Sequence, residues 1–477
     1  MVLRFSRLLL VNMPIKKGRH VLPDFPPVGL GYLSESLLNA DIEHDVLDMM
    51  LGYDLSHLIN IIRKGRYDLV GFSLYTFQYA TAYRLIAAVK REFPEIKIIA
   101  GGPHVSTFRE EVLRDCPALD FGVVMEGEGA LIKLCQNDLP YENIPGLVFR
   151  EDGIIKVNDY KYNPDLDSIP YPRFSKFELN KYSANIAIFT SRGCPYHCIY
   201  CPVGRTIGRV YRVRSPASVL EEIIYWYNKG YSRIIVLDDN FTLIAKRVLE
   251  ICEGLKNLQL KELVLSCSNG IRADKVDYHV LKVMKQAGFN EIAFGVESGT
   301  DKVLKAIQKG ESLKTIEKRI SQACELGFKV VLFFIIGSPT ETFSDFLSSI
   351  LLALRYPVYS ARFYNLIPYP HSKLFAWVKE NDYFLLKPSE YFNDASGWVN
   401  HPLFETPEFS YKERKQAFSL AAKIEKVIKR RYILRHYQGP KMFGYIFARL
   451  STNNLVILIY ERIRVLRFIG LRIRRWV

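Results

Sequence analysis

The sequence predicts an α/β protein with three parts: a doubly wound N-terminal domain, a partial (β/α)6 barrel and a helical, basic C-terminal region. Three observations carry this expectation. Short apolar runs alternate with helical-period segments in two separate series, the pattern of strands joined by crossover helices. A proline-rich stretch with no clear period separates the series. The positive charge gathers at one end: residues 411–477 hold 17 Lys/Arg against three Asp/Glu, whereas the whole chain of 477 residues has a net charge of only +15.

The first series opens with the apolar run Arg7 to Met13, followed by PPVGLGYLSESLLNA, where Leu30, Leu33 and Leu37 or Leu38 recur at helical spacing. Next come HDVLDM, a helical stretch around His57 to Arg63, and the strand-like DLVGFSLY. A helix from Ala80 to Glu92 leads to IKIIAGGP, a strand ending in two glycines. This rhythm suits a doubly wound parallel sheet over residues 1–136. Residues 137–182 collect Pro140, Pro145, Pro164, Pro170 and Pro172 and read as a linker, with a small hairpin around Glu151-Asp152-Gly153. The second series, residues 183–375, supplies ANIAIFTS, RIIVLDD, ELVLSCS, EIAFGVE, KVVLFFII and ARFYNLI, six strands for an open barrel. Residues 376–477 read as helical, without further strand alternation.

Hydrophobic residues at 49% and charged residues at 24% are ordinary globular composition and exclude a wholly disordered chain. No uncharged apolar run reaches ~18 residues, and the start lacks a signal-peptide cleavage region, so the chain reads as cytoplasmic. Eight cysteines in so long a chain are thiols, ligands or core fillers rather than a disulfide framework. The near-neutral first 410 residues argue against a nucleic-acid-binding body.

The sharpest signal is TSRGCPYHCIYC, which puts Cys194, Cys198 and Cys201 directly after the first strand of the second series. Three thiolates on one loop with no fourth partner do not suit structural zinc, which wants four ligands. An iron–sulfur cubane held by three cysteines keeps one iron free for an external ligand, and that fits. Cys116, Cys135, Cys252, Cys267 and Cys324 are scattered and read as core residues.

The cysteine spacing, its position after strand one and the later motifs resemble the radical S-adenosylmethionine (radical SAM) superfamily. The resemblance covers about residues 182–370. It implies a 4Fe-4S cluster on Cys194, Cys198 and Cys201 that binds S-adenosylmethionine and cleaves it to a 5′-deoxyadenosyl radical. It also implies that Tyr200 packs near adenine and that Asp239, at the end of VLDDNFT, faces the barrel mouth. Asn269 and Arg272 of SCSNGIRAD, Glu297 of FGVESGTDKVL, and the backbone at Ile336 and Gly337 of FFIIGSPTET complete the implied contacts. In the bland reading, Ser268 and Asn269 cap a turn and Glu297-Ser298-Gly299 begins a helix.

The N-terminal series is similar to the Rossmann-like, cobalamin-binding domains fused to such barrels in the methyltransferase-like group. That resemblance implies cobalamin contacts from Ser73 and Leu74 after strand three and from Gly101 and Gly102 after strand four. One departure stands out. The loop after strand one, NMPIKKGRHVLPD, contains His20 but not the Asp-x-His-x-x-Gly pattern that ligates cobalt from below. A scaffold that has lost the cofactor is the alternative.

The implied function is cobalamin-dependent methylation of an unactivated carbon, with S-adenosylmethionine as both methyl donor and radical source. The alternatives are a cobalamin-fused cyclase or oxidative rearrangement enzyme, and a non-catalytic corrinoid or cluster sensor. A methylthiotransferase is disfavoured, because only Cys116 and Cys135 precede Cys194, too few for a second three-cysteine cluster. The implied partners are a small-molecule or lipid substrate and an electron donor such as flavodoxin or ferredoxin. Near the C-terminus, Ile459, Ile463, Leu466, Ile469, Ile473 and Trp476 share one helical stripe among arginines, a pattern that suits peripheral contact with the inner face of a membrane.

Overall fold

The computed structural model describes residues 3–14, 23–392 and 401–456. Its first sheet is built from β1 (Arg7–Asn12), β2 (Glu43–Asp48), β3 (Leu69–Ser73), β4 (Lys97–Gly101) and β5 (Phe121–Val123), paired in parallel in the order β2-β1-β3-β4-β5. In β1 only Arg7 is not buried, as expected for a parallel strand covered on both faces. Helices Val28–Asn39, Leu55–Gly65 and Tyr79–Glu92 supply the crossovers.

Beyond residue 136 the sheet continues. β6 (Leu147–Glu151) and β7 (Ile154–Val157) form the expected hairpin, turned by Asp152 and Gly153 with φ of 47° and 78°. β6 pairs antiparallel with β5, so the hairpin extends the sheet to seven strands. The rest of this stretch is fastened to the first domain. The Tyr182 hydroxyl donates to Asp48 Oδ2 at 2.6 Å, and the backbone N–H of Arg173 donates to Glu35 Oε1 at 3.0 Å.

The second sheet is wholly parallel, in the order β15-β14-β13-β12-β11-β8. Its strands are β8 (Ile186–Ile188), β11 (Arg233–Val236), β12 (Val264–Ile271), β13 (Phe289–Glu297), β14 (Lys329–Ile336) and β15 (Ser360–Asn365). A separate two-residue pair, β9 (Ser191–Arg192) and β10 (Arg212–Val213), brackets the cysteine loop. Capping explains where the outer helices start. Ser215 caps Pro216–Asn228, which begins on the helix-compatible Pro216, and Thr342 and Asp345 form a capping box on Phe343–Arg355. The edge strand β15 is covered by the long helix Tyr411–His436, whose Glu425 accepts from the N–H of Phe363 at 2.9 Å. A shorter helix, Lys441–Leu450, folds back on it. The stripe from Ile459 to Trp476 lies outside the described residues.

Candidate active site

Ser191 and Arg192 fold back on Val213 and Arg212, and the chain then turns sharply at Gly193. Gly193 has φ of 86°, and a Cβ there would run into the carbonyl oxygen of Val210, so no other residue suits the position. The turn delivers Cys194, whose N–H donates to Gly208 O at 3.1 Å, and the loop is pinned again where Ile199 N–H donates to Ile307 O at 3.1 Å. Cys194, Cys198 and Cys201 are all free and half-buried. Burial raises all three thiols, Cys201 to about 12, so ligation must expel protons into the loop's surroundings. Among the described residues no three His, Cys, Asp or Glu side chains converge tightly enough for a single metal ion. Three thiols spread along one loop fit a cluster instead, where each binds a different iron.

β-Bulges shape the strand ends facing this loop. The β12–β13 register shifts between Cys267 and Ile271, and the β13–β14 register shifts between Gly295 and Glu297. Glu297 itself has φ of 65°, a strained backbone for a residue with a side chain. Its carboxylate pairs with buried Lys309, Nζ to Oε1 at 2.9 Å, and Lys309 also lies 3.5 Å from Glu311 Oε2. Tyr200 is pressed into the same neighbourhood, its phenol raised far above the usual range by burial and by Glu297. Arg272 is heavily engaged. Its guanidinium donates to Asp274 Oδ1 at 2.9 Å and Lys309 O at 2.7 Å, and it sits 3.6 Å from the centre of the Tyr196 ring. Asn269 is exposed, with Nδ2 bonded to Leu237 O at 3.1 Å. Ile336 is buried and its carbonyl accepts from Leu366 N–H at 3.1 Å, while Gly337 N–H donates to Glu341 Oε2 at 2.6 Å. Lys309 and Tyr196 were not singled out from the sequence; a lone lysine before a glycine and a tyrosine inside the cysteine loop gave no signal beyond their position.

The two aspartates after β11 divide the work. Asp238 is buried and accepts from Thr190 N–H and Ser191 Oγ, each at 2.6 Å. Among the described residues Asp239 has no such partner, and it lies on the wall of a large cavity. Burial, then the charge of Asp238, pushes its carboxyl up to about 6.

That cavity, open to solvent, runs between the two sheets. The first domain contributes the ends of β3 and β4, with Ser73, Gly101 and Gly102 on the wall. Gly102 has φ of 96°, and a Cβ there would stand 2.9 Å from Leu74 O, so glycine keeps this wall close and flat. Leu74 itself is buried in the domain core, off the cavity wall. His104 is also buried behind it, with Nε2 2.8 Å from the Tyr83 hydroxyl and its ring stacked on Tyr79. The barrel contributes Phe189, Ser191, Arg192 and Asp239. A wide, mostly apolar slot floored by glycine backbone fits a large flat ligand such as a corrin. His20, in the loop after β1, lies outside the described residues.

A buried ion network closes the floor between the domains. Arg192 donates to Glu128 Oε1 at 2.7 Å and lies 3.5 Å from Glu126 Oε2. Arg212 grips both oxygens of Glu126, one of them at 3.0 Å. The loop Glu126-Gly127-Glu128-Gly129 thus turns its two carboxylates to the arginines that flank the cysteine loop.

Comparison with known proteins agrees with this arrangement. Residues 188–353 match the radical SAM superfamily and residues 18–134 match the B12 binding domain. An uncharacterized methyltransferase of Pyrococcus horikoshii is 30% identical over 400 residues, covering 80% of this chain and 85% of that protein. An anaerobic magnesium-protoporphyrin IX monomethyl ester cyclase of Rubrivivax gelatinosus is 24% identical over 378 residues, 75% of this chain and 67% of that one. The solved structure of the cobalamin-dependent S-adenosylmethionine radical enzyme OxsB, with aqua-cobalamin and S-adenosylmethionine bound, shares the fold. Its TM-score is 0.70 at 19% identity, covering 99% of this chain and 75% of that one.

Proposed function

The chain belongs to the radical SAM superfamily, in the cobalamin-dependent, methyltransferase-like group of enzymes that use a 4Fe-4S cluster, S-adenosylmethionine and cobalamin, and on that premise we propose that it methylates an unactivated carbon. The observation that carries the reading is the shared cavity. The wall offered by Ser73, Gly101 and Gly102 and the barrel mouth at Asp239 open onto one space, so a substrate held there meets both cofactors. When bound, the cofactors supply hydrogen abstraction and methyl delivery. Overall, the substrate and two S-adenosylmethionine molecules take up two electrons and yield methylated substrate, 5′-deoxyadenosine, methionine and S-adenosylhomocysteine.

In this reading Cys194, Cys198 and Cys201 hold the cluster. Tyr200, Asn269, Glu297 and the backbone at Ile336 and Gly337 line the S-adenosylmethionine site, and Arg272 braces it through Asp274 and Lys309 O. Lys309 offers a buried ammonium beside Glu297, suited to the carboxylate of the methionine moiety. Ser73, Gly101 and Gly102 hold the corrin, with Leu74 supporting their loop from the core. Asp239, unpaired on the cavity wall, orients a donor group of the substrate. The electron donor is a low-potential flavodoxin or ferredoxin. The substrate is a small molecule or a lipid, and the chain works in the cytoplasm with its basic C-terminal region at the inner face of the membrane.

The test is anaerobic reconstitution with cobalamin and methyl-labelled S-adenosylmethionine, followed by assay of cobalt content and of label in product. Near-stoichiometric cobalt and a labelled carbon product are expected. Changing any one cysteine, for instance Cys198→Ala, should abolish 5′-deoxyadenosine formation while the chain stays folded, and persistent turnover would sink the cluster assignment. A second reading, ring formation or rearrangement, is favoured by the similarity to the cyclase. It would show as 5′-deoxyadenosine without label in the product.

A further inference from the structure

The helix Lys441–Leu450 is packed the wrong way round for a globular protein. Its buried residues are the small ones, Gly444 and Ala448. Gly444 lies on Tyr437, where even a Cβ would approach the ring to 2.8 Å, so the helix seats tightly on the chain that leads into it. The large apolar side chains point the other way. Met442 is 66% exposed, Tyr445 63%, Phe443 54%, Ile446 48% and Leu450 47%. At ~100° per residue these five fall within one arc of roughly 160°, which Arg449 also enters between Tyr445 and Met442. A helix in water normally turns such a face to a core, so an exposed arc of this size marks a contact surface.

Charge identifies the occupant. The helix carries Lys441 and Arg449 and no acid, and the helix it folds against ends in Lys429, Arg430, Arg431 and Arg435. The 21 residues that follow the described chain add six arginines and one glutamate. Like charge therefore opposes covering the arc with that terminal segment, and opposes pairing it with the same face of a second copy. The partner must be acidic and must accept apolar side chains without fixed pockets. Ten residues span about 15 Å at ~1.5 Å per residue, half a bilayer core, so the helix can lie in an interface but not cross it. No described helix is long and apolar enough to cross a membrane.

We infer that the apolar face of Lys441–Leu450, with its surrounding basic residues, docks the enzyme on an anionic phospholipid surface. The side chains enter the headgroup boundary while the basic residues meet lipid phosphates, and the inference is independent of the reaction catalysed.

The test uses the full chain and vesicles of phosphatidylcholine alone or mixed with phosphatidylglycerol, read by co-sedimentation at low and high salt. Binding is expected on the mixed vesicles only, at least tenfold weaker in high salt. The double variant Phe443→Glu/Ile446→Glu changes exposed residues, so an unchanged melting curve is expected. Its vesicle affinity should fall at least tenfold. A variant reversing charge beyond the helix, Arg472→Glu/Arg474→Glu, is run alongside. Three outcomes overturn the proposal: no vesicle binding by the wild type, loss only in the second variant, or self-association that Phe443→Glu/Ile446→Glu abolishes without any lipid binding.

Discussion

His104 follows the glycine pair at the cavity-facing edge, yet it is only 2% exposed and faces away from the cavity. Thr76, Tyr79, Tyr83 and Phe108 surround it. Burial alone pushes its imidazole down to about 3. An unfolded histidine titrates near ~6.5, so between those values the unfolded chain takes up a proton that the folded chain refuses. Stability is therefore complete above about 6.5 and is lost as pH falls, at up to ~1.4 kcal/mol per pH unit. Thermal or urea denaturation at pH 7.5 and pH 5.0 should show His104→Gln losing about 2 kcal/mol less across that interval than the wild type. Equal losses would mean the ring is protonated in the fold. Other single residues differ in how far they could be read in advance. The three cysteines were legible because their spacing is local and their chemistry narrow. The partners of Arg272 were not, because Lys309 and Glu311 reach it only once two βα units have packed together.

Among the elements, the segment from β9 to the cysteine loop carries the heaviest constraint. Gly193 turns the chain in a conformation closed to side chains, against the backbone of Val210. Gly193→Ala adds left-handed strain and a clash, together worth about 1–3 kcal/mol, and the loop has few contacts with which to absorb them. Iron bound after anaerobic reconstitution should drop well below the wild-type content, with a lowered melting temperature. Full iron loading would show that the loop can re-form around a shifted Cys194. Strand and helix identity in both series followed from apolar periodicity, and the Asp152-Gly153 turn announced its hairpin. What periodicity did not show was that this hairpin adds to the first sheet, since the pairing of β5 with β6 depends on the fold of the whole domain. Nor did it show the bulges at Gly295 and Cys267, which aim Glu297 and Asn269 and whose one mark in the sequence is a strand glycine, Gly295 or Gly270.

At the scale of the molecule, the two domains act on one cavity only if they hold a fixed relation, and Glu126 is one of the residues that tie them. Burial raises its carboxyl, but Arg212 and Arg192 more than reverse this and hold it below the usual carboxylate range. Tyr160 adds a hydrogen bond at 2.9 Å. Both arginines flank the cysteine loop, so the loop after β5 and the cysteine loop share one buried set of charges. Removing the charge with Glu126→Gln preserves shape but leaves Arg192 leaning on Glu128 alone and Arg212 without its carboxylate. Breaking one side of a buried pair costs about 3–5 kcal/mol, far more than the pair is worth against an apolar replacement. The cost falls mainly on the relation between domains, which also share apolar packing where Val28 and Tyr32 join the barrel's buried cluster. Calorimetry of the wild type should therefore give one joint transition, and Glu126→Gln should split it, with the less stable domain melting earlier. Replacing both sides, Glu126→Gln with Arg212→Met, should recover part of the loss, as the stranded cation goes with its partner. A variant that melts as a single unshifted transition would mean that packing through the helix Val28–Asn39, whose Tyr32 hydroxyl reaches Phe189 O at 3.2 Å, holds the domains without the charges.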